Sequence, residues 1–126
     1  MAAANPEGSI KVYLCDDVVE LRALLRVSVE GNGMHVVGES GDARTMLGEL
    51  PALDPDVVVL DLSMPGMDGL EAIPLIHEVT PRAHVIVFSG YGAELGPAAL
   101  ALKASRYIEK GADLDGLCAA VREVAA

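Results

Sequence analysis

The chain has 126 residues, 52% of them hydrophobic and 22% charged, a balance that supports one packed core and excludes wholesale disorder. Nineteen acidic against nine basic side chains give a formal charge of −10, which excludes unaided binding to nucleic acid or an anionic membrane through a basic face. The two cysteines, Cys15 and Cys118, are too few and too far apart for a disulfide scaffold or a zinc site, and the chain reads as a reduced, cytosolic domain.

Residues 1–9 (MAAANPEGS) lack the basic residues and the long apolar run of a secretory signal. They read as a disordered leader, leaving a single domain over residues 10–124. Apolar runs such as Val57 to Leu60 fall far below the roughly 20 residues that a membrane span needs.

Ile10 to Cys15 (IKVYLC) is mostly apolar, rich in strand formers, and stops at Asp16-Asp17. From Val18 the spacing turns helical: Val18, Leu21, Leu25 and Val29 form one stripe with Leu24 beside it. Gly31-Asn32-Gly33 ends that helix with a left-handed glycine cap. Met34 to Gly38 is predicted as a second, shorter strand. Asp42 is the expected N-cap of a helix from Ala43 to Leu50, which Pro51 stops. Asp56 to Asp61 (DVVVLD) carries the strongest strand signal, its four apolar residues suiting a strand covered on both faces.

Asp68 can cap a third helix over Gly69 to Val79, which Pro74 is expected to bend or to deprive of one hydrogen bond. Ala83 to Ser89 is predicted as a fourth strand. Pro97 suits the start of a short helix running to about Lys103. Arg106 to Glu109 gives a short fifth strand, and Leu114, Leu117, Cys118 and Val121 mark a last amphipathic helix. Five strands alternating with five helices predict an α/β fold with right-handed crossovers and a doubly wound parallel sheet. In such sheets ligands bind outside the carboxyl ends of the strands.

Those ends carry the candidate chemistry. Asp16 and Asp17 follow the first strand, Asp61 ends the third, Ser89 ends the fourth, and Lys110 follows the fifth. Singly, an aspartate is often a cap, a lysine solvated and a serine a turn former. Together they place three carboxylates, a hydroxyl and an ammonium at one edge. Clustered carboxylates need protonation or a cation, and oxygen-only ligands favour a hard ion such as Mg²⁺, which bridges carboxylates and phosphate oxygens. A carboxylate can also be the nucleophile of phosphoryl transfer, giving an aspartyl phosphate. Mg²⁺ and Lys110 would then offset the developing charge, and Ser89 would donate a hydrogen bond to a phosphoryl oxygen.

Asp16-Asp17, the run D-L-S-M-P-G-M-D-G from Asp61 to Gly69, Ser89-Gly90 and Y-I-E-K from Tyr107 to Lys110 carry a resemblance. Over residues 10–124 the chain resembles a response-regulator receiver domain of a bacterial two-component system. V-V-G-E-S-G-D-A from Val36 and P-D-V-V-V-L-D from Pro55 further resemble receivers attached to LuxR/NarL-type helix-turn-helix outputs. The resemblance implies a flavodoxin-like sheet of order 2-1-3-4-5 and a phospho-acceptor switch in the cytoplasm rather than an enzyme. It implies that Asp61 accepts a phosphoryl group from the phosphohistidine of a sensor histidine kinase. Asp17 would bind Mg²⁺ directly and Asp16 through water, with Asp61 and the Ser63 backbone carbonyl as further ligands. Lys110 would form an ion pair to the phosphoryl group.

Ser89 and Tyr107 resemble a switch pair, the hydroxyl moving toward the phosphoryl group and the ring turning inward behind it. The implied output face is the fourth helix, fifth strand and fifth helix, open to a homodimer. DNA would be reached only through a separate output domain, for which these residues leave no room, and no membrane is involved. Lys103 stands where such domains often have glycine, and a left-handed Lys103 would carry strain of about 1 kcal/mol. Gly111 replaces the proline common after the lysine, so a cis peptide there would cost about 2.5–4 kcal/mol. Tyr91 reads as an exposed loop tyrosine, in a position that borders the path of hydrolytic water in the family. A dehalogenase-type phosphatase would need a carboxylate where Ser63 stands. A flavodoxin-like cofactor site would be repelled by Asp16-Asp17. The alternative left standing is a phosphorylation-independent interaction domain of the same fold.

Overall fold

A computed structural model describes residues 8–90, 94–111 and 113–126; Tyr91 and most of the expected leader lie outside them. The elements run β1 (Lys11–Cys15), α1 (Val19–Gly31), β2 (His35–Ser40), α2 (Ala43–Leu53), β3 (Val57–Leu60), α3 (Gly69–Val79), β4 (His84–Ser89), α4 (Gly96–Ala101), β5 (Arg106–Glu109) and α5 (Leu114–Ala125). The strands form one parallel sheet in the order β2-β1-β3-β4-β5, the doubly wound, flavodoxin-like arrangement that the strand and helix alternation predicts.

Side chains alternate across the sheet with period two. Val58 and Leu60 of β3 join Tyr13, Met46, Leu50, Ile73, Ile76 and Val85 in one core. Val57 and Val59 face the other way, with Val12, Leu25, Val29, Ile86, Leu117 and Val121. Being buried on both faces explains why β3 reads as an unbroken apolar run. Tyr13 is wholly buried, yet its hydroxyl reaches Ser40 Oγ at 2.9 Å and Glu49 Oε1 at 2.6 Å. That burial, and then the Glu49 carboxylate, push the phenol pKa up.

Several boundaries differ from the sequence expectation. Pro51 lies inside α2, which continues to Leu53. An exposed proline in the last turn forgoes a single hydrogen bond, while Leu50 and Leu53 still pack into the core. The helix ends at Asp54, left-handed at φ 46°, whose N–H donates to the Leu50 carbonyl at 2.8 Å. β2 runs two residues beyond Gly38, because a register shift after Val12 lets Ser40 pair with Cys15. At the end of α1 the cap is Asn32 at φ −96°, with its side chain donating to the Ser28 carbonyl; the left-handed glycine is Gly33, one residue later.

Asp42 and Asp68 cap α2 and α3 as expected, accepting from the backbone N–H of Thr45 and Leu70. Pro74 is exposed and leaves α3 continuous. Lys103 does take the left-handed conformation, at φ 79°, in the turn after α4, which ends earlier than expected at Ala101. No peptide bond among the described residues is cis. At Gly69 an added Cβ would lie 2.4 Å from the Leu62 Cα, so the start of α3 is pressed directly against the loop that leaves β3.

Candidate functional site

Backbone hydrogen bonds carry the sheet one residue past the strand ends and fix where the site side chains begin. Asp16 N–H donates to the Ser40 carbonyl at 3.1 Å, Asp61 N–H to the Cys15 carbonyl at 2.9 Å, and Lys110 N–H to the Ser89 carbonyl at 2.9 Å. Asp16, Asp17 and Asp61 consequently present carboxylate oxygens that all lie within 4.8 Å of one another. Asp16 and Asp61 are each only 2% exposed, whereas Asp17 is open to solvent.

Each buried carboxylate is held by two donors. Asp16 Oδ1 accepts from Val18 N–H at 2.9 Å, and Asp61 Oδ1 accepts from Ser63 N–H at 3.1 Å. The Lys110 ammonium bridges the other two oxygens, at 2.9 Å from Asp16 Oδ2 and 3.3 Å from Asp61 Oδ2. Asp17, Val18, Asp61, Ser63, Gly90 and Lys110 line an open depression of about 380 Å³.

Burial holds the Asp61 carboxyl above its ordinary pKa, and Asp16 adds to this, outweighing the Ser63 N–H and the Lys110 charge. For Lys110, burial alone would favour the neutral amine. Asp16 and Asp61 outweigh it and raise the pKa, so the ammonium persists. Three carboxylates against one ammonium leave two negative charges uncompensated, and an all-oxygen donor set of that charge fits a hard divalent cation. Cys15 does not compete as a ligand. Burial pushes its thiol up to about 12, and its Sγ lies 3.5 Å from the Met64 sulfur.

Ser89 is fully buried, and its Oγ has no hydrogen-bond partner among the described residues. The Tyr107 hydroxyl is likewise shielded and unpartnered, while its ring packs over Gly96 at the start of α4. Burial and then the Glu109 carboxylate raise the phenol pKa. The nearby Ser89 hydroxyl opposes this without reaching hydrogen-bond geometry. Thus all five strand-end residues singled out in the sequence meet at one edge, with Ser63 beside them and Tyr107 behind Ser89. The histidines stay apart: His77 contacts the Lys103 carbonyl and His84 the Ser105 hydroxyl. Arg22 went unnoticed in the sequence, although its Nη1 donates to the Asp16 carbonyl at 2.6 Å.

The model of the response regulator receiver domain matches residues 12–122. The chain belongs to that family. It is 37% identical over 117 residues to a protein-glutamate methylesterase/protein-glutamine glutaminase of Paramagnetospirillum magneticum, a match covering 87% of this chain and 31% of that protein. The chain therefore spans about a third of the length of such methylesterase relatives. Among solved structures, a LuxR-family two-component response regulator from Aurantimonas sp. SI85-9A1 superimposes with a TM-score of 0.87 at 29% identity, over 93% of this chain and 85% of that one. The CheX-CheY-BeF3-Mg complex from Borrelia burgdorferi gives 0.86 at 27% identity, over 93% and 90%. As a receiver the chain is a two-component signalling domain, and the Borrelia burgdorferi complex it resembles contains Mg²⁺.

Proposed function

We propose that the chain is a phosphorylation-driven switch with Asp61 as the acceptor, charged by the phosphohistidine of a sensor histidine kinase in the cytoplasm. The observation that carries this reading is the Lys110 ammonium bridging Asp16 and Asp61 in an open pocket that keeps two uncompensated negative charges. A purely structural ion pair would balance its charge and close over it. Asp17, Asp61 and Lys110 are all present and assembled, which favours phosphoryl acceptance over a phosphorylation-independent interaction role.

Asp17, Asp61 and the Ser63 carbonyl would hold Mg²⁺, with Asp16 acting through water. When bound, Mg²⁺ would offset the negative charge that gathers during transfer. An Asp61 oxygen forms the bond to phosphorus as the phosphorus–nitrogen bond to the donor histidine breaks, the electron pair staying on the ring nitrogen. Ser63 N–H steadies the carboxylate during attack. Lys110 then releases Asp61 to pair with the phosphoryl group, keeping Asp16 as its second partner. Ser89 Oγ, buried and unpartnered, gains an acceptor when a phosphoryl oxygen arrives. The Tyr107 ring follows the space it leaves, and α4 and β5, against which that ring packs, shift between two arrangements.

The α4–β5–α5 face is the proposed output, through a homodimer or a partner. Similarity to a LuxR-family regulator supports control of transcription through a separate DNA-binding domain. No described helix is long and apolar enough to cross a membrane. Incubation with acetyl phosphate and Mg²⁺ followed by intact mass tests the reading. One phosphoryl group should be gained, and the gain should disappear with a chelator or in Asp61→Asn. No gain in the parent chain, or an undiminished gain in Asp61→Asn, contradicts it.

A further inference from the structure

Arg22, in the first turn of α1, is mostly buried between three groups. Its Nη1 donates to the Asp16 carbonyl at 2.6 Å and its Nε to Glu39 Oε1 at 2.9 Å. Helical side chains lean toward the N-terminus, which is how a residue of α1 reaches back to the peptide that joins Asp16 to Asp17. Glu39 of β2 is itself fixed by Arg26, whose Nε lies 2.6 Å from Glu39 Oε2. Burial would raise the Glu39 pKa, but the two guanidinium groups outweigh it and hold the carboxylate ionised. On the remaining side stands Gly41, where an added Cβ would lie 3.1 Å from Arg22 Nη1 and 3.6 Å from Asp17 Cα. The slot is thus closed by an anion from β2, a backbone carbonyl from the acidic loop and a residue without a side chain.

We propose that Arg22 is a positioning residue for the acidic loop, acting through the Asp16–Asp17 peptide to set the geometry in which the carboxylates receive Mg²⁺. The inference rests on the metal-dependent reading of the site given above. A carbonyl held at 2.6 Å by a guanidinium cannot rotate without losing a charge-assisted hydrogen bond. Its two flanking side chains are therefore aimed by it, Asp16 toward Lys110 and Asp17 toward the open side of the pocket. Outer partners of this kind typically change metal affinity by about 10–100-fold.

The direction of the effect separates positioning from plain electrostatics. Arg22 is a cation beside a cluster that binds cations, so if only its charge mattered, Arg22→Gln would bind Mg²⁺ more tightly. Positioning predicts the opposite, a dissociation constant raised about tenfold. Calorimetric Mg²⁺ titration of the parent chain, Arg22→Gln, Arg22→Lys and Glu39→Gln, each checked for folding by circular dichroism, reads this directly. Arg22→Lys keeps the charge but lacks the planar fork and should also weaken binding. Glu39→Gln leaves Arg22 in place with a weaker anchor and should shift affinity the same way by a smaller factor.

A metal-free readout accompanies it: amide exchange at Asp16 and Val18, whose N–H groups donate to Ser40 and to the Asp16 side chain, should quicken in Arg22→Gln. Folded Arg22 variants that bind Mg²⁺ as well as or better than the parent overturn the proposal while leaving the metal site intact. A parent chain that binds no Mg²⁺ overturns both. Should Arg22→Gln not fold, Arg22→Lys decides, since it keeps the charge and plain electrostatics predicts unchanged binding for it.

Discussion

At the scale of single residues, the site stores unfavourable charge that its function uses. Burial and Asp16 hold the Asp61 carboxyl above the ordinary carboxylate range. The folded chain therefore keeps a proton that the unfolded chain releases, and stability falls as pH rises from the ordinary value through the raised one. Asp61→Asn should accordingly be more stable than the parent at neutral pH without metal, and the difference should vanish below the ordinary carboxylate range. Urea denaturation across that span checks it, and a variant less stable at neutral pH would contradict the charge account. Lys110 is the converse case. Removing its ammonium in Lys110→Ala leaves three carboxylates uncompensated, so Mg²⁺ should bind more tightly while the response to phosphorylation is lost. Titration calorimetry and any output assay on one sample separate these two effects. The residues that matter here were legible because their chemistry is unusual at a strand end. Arg22 was not, since a basic residue in the first turns of a helix has the spacing of an ordinary surface charge.

At the scale of elements, apolar runs mark β1, β3 and β4, whose residues are buried on both faces of a parallel sheet and leave no polar alternation to confuse the signal, whereas the edge strands β2 and β5 are only partly buried and carry a weaker one. Boundaries were harder. Pro51 carries a strong stop signal, yet the tertiary gain from burying Leu50 and packing Leu53 exceeds the one hydrogen bond lost. The extra length of β2 depends on a register shift against β1, a pairing property that no single strand displays. Two substitutions test the element-level account. Lys103→Gly relieves a left-handed backbone at an exposed position and should stabilise the chain by up to about 1 kcal/mol. Gly69→Ala would drive a methyl against the Leu62 backbone at 2.4 Å, and should cost about 3 kcal/mol. It should also weaken Mg²⁺ binding, since the displaced segment includes the loop between Asp61 and α3. Denaturant midpoints order the two unambiguously: the first above the parent, the second below.

At the scale of the whole molecule, the parallel sheet brings five separate sequence positions to one edge. Asp16, Asp17, Asp61, Ser89 and Lys110 span most of the chain, yet each stands where a strand ends on the same edge. That convergence follows from all the strands being parallel, which is why it could be anticipated without coordinates, whereas the 2.9 and 3.3 Å contacts of Lys110 could not. The net charge of −10 takes a local meaning here, since two of those charges are the uncompensated pair in the pocket. A cation that binds the folded chain alone stabilises it by about 2.7 kcal/mol at 100 times its dissociation constant. Saturating Mg²⁺ should therefore raise the melting temperature of the parent and leave that of Asp17→Asn nearly unchanged.

The central claim, that Asp61 is the phosphoryl acceptor, is tested most directly by reductive trapping. Borohydride converts an aspartyl phosphate to homoserine, and peptide mass mapping after acetyl phosphate and Mg²⁺ treatment locates the converted residue. The account predicts homoserine at position 61 and at no other aspartate. Conversion at Asp16 or Asp17, or none in a chain that has gained a phosphoryl group, would contradict it.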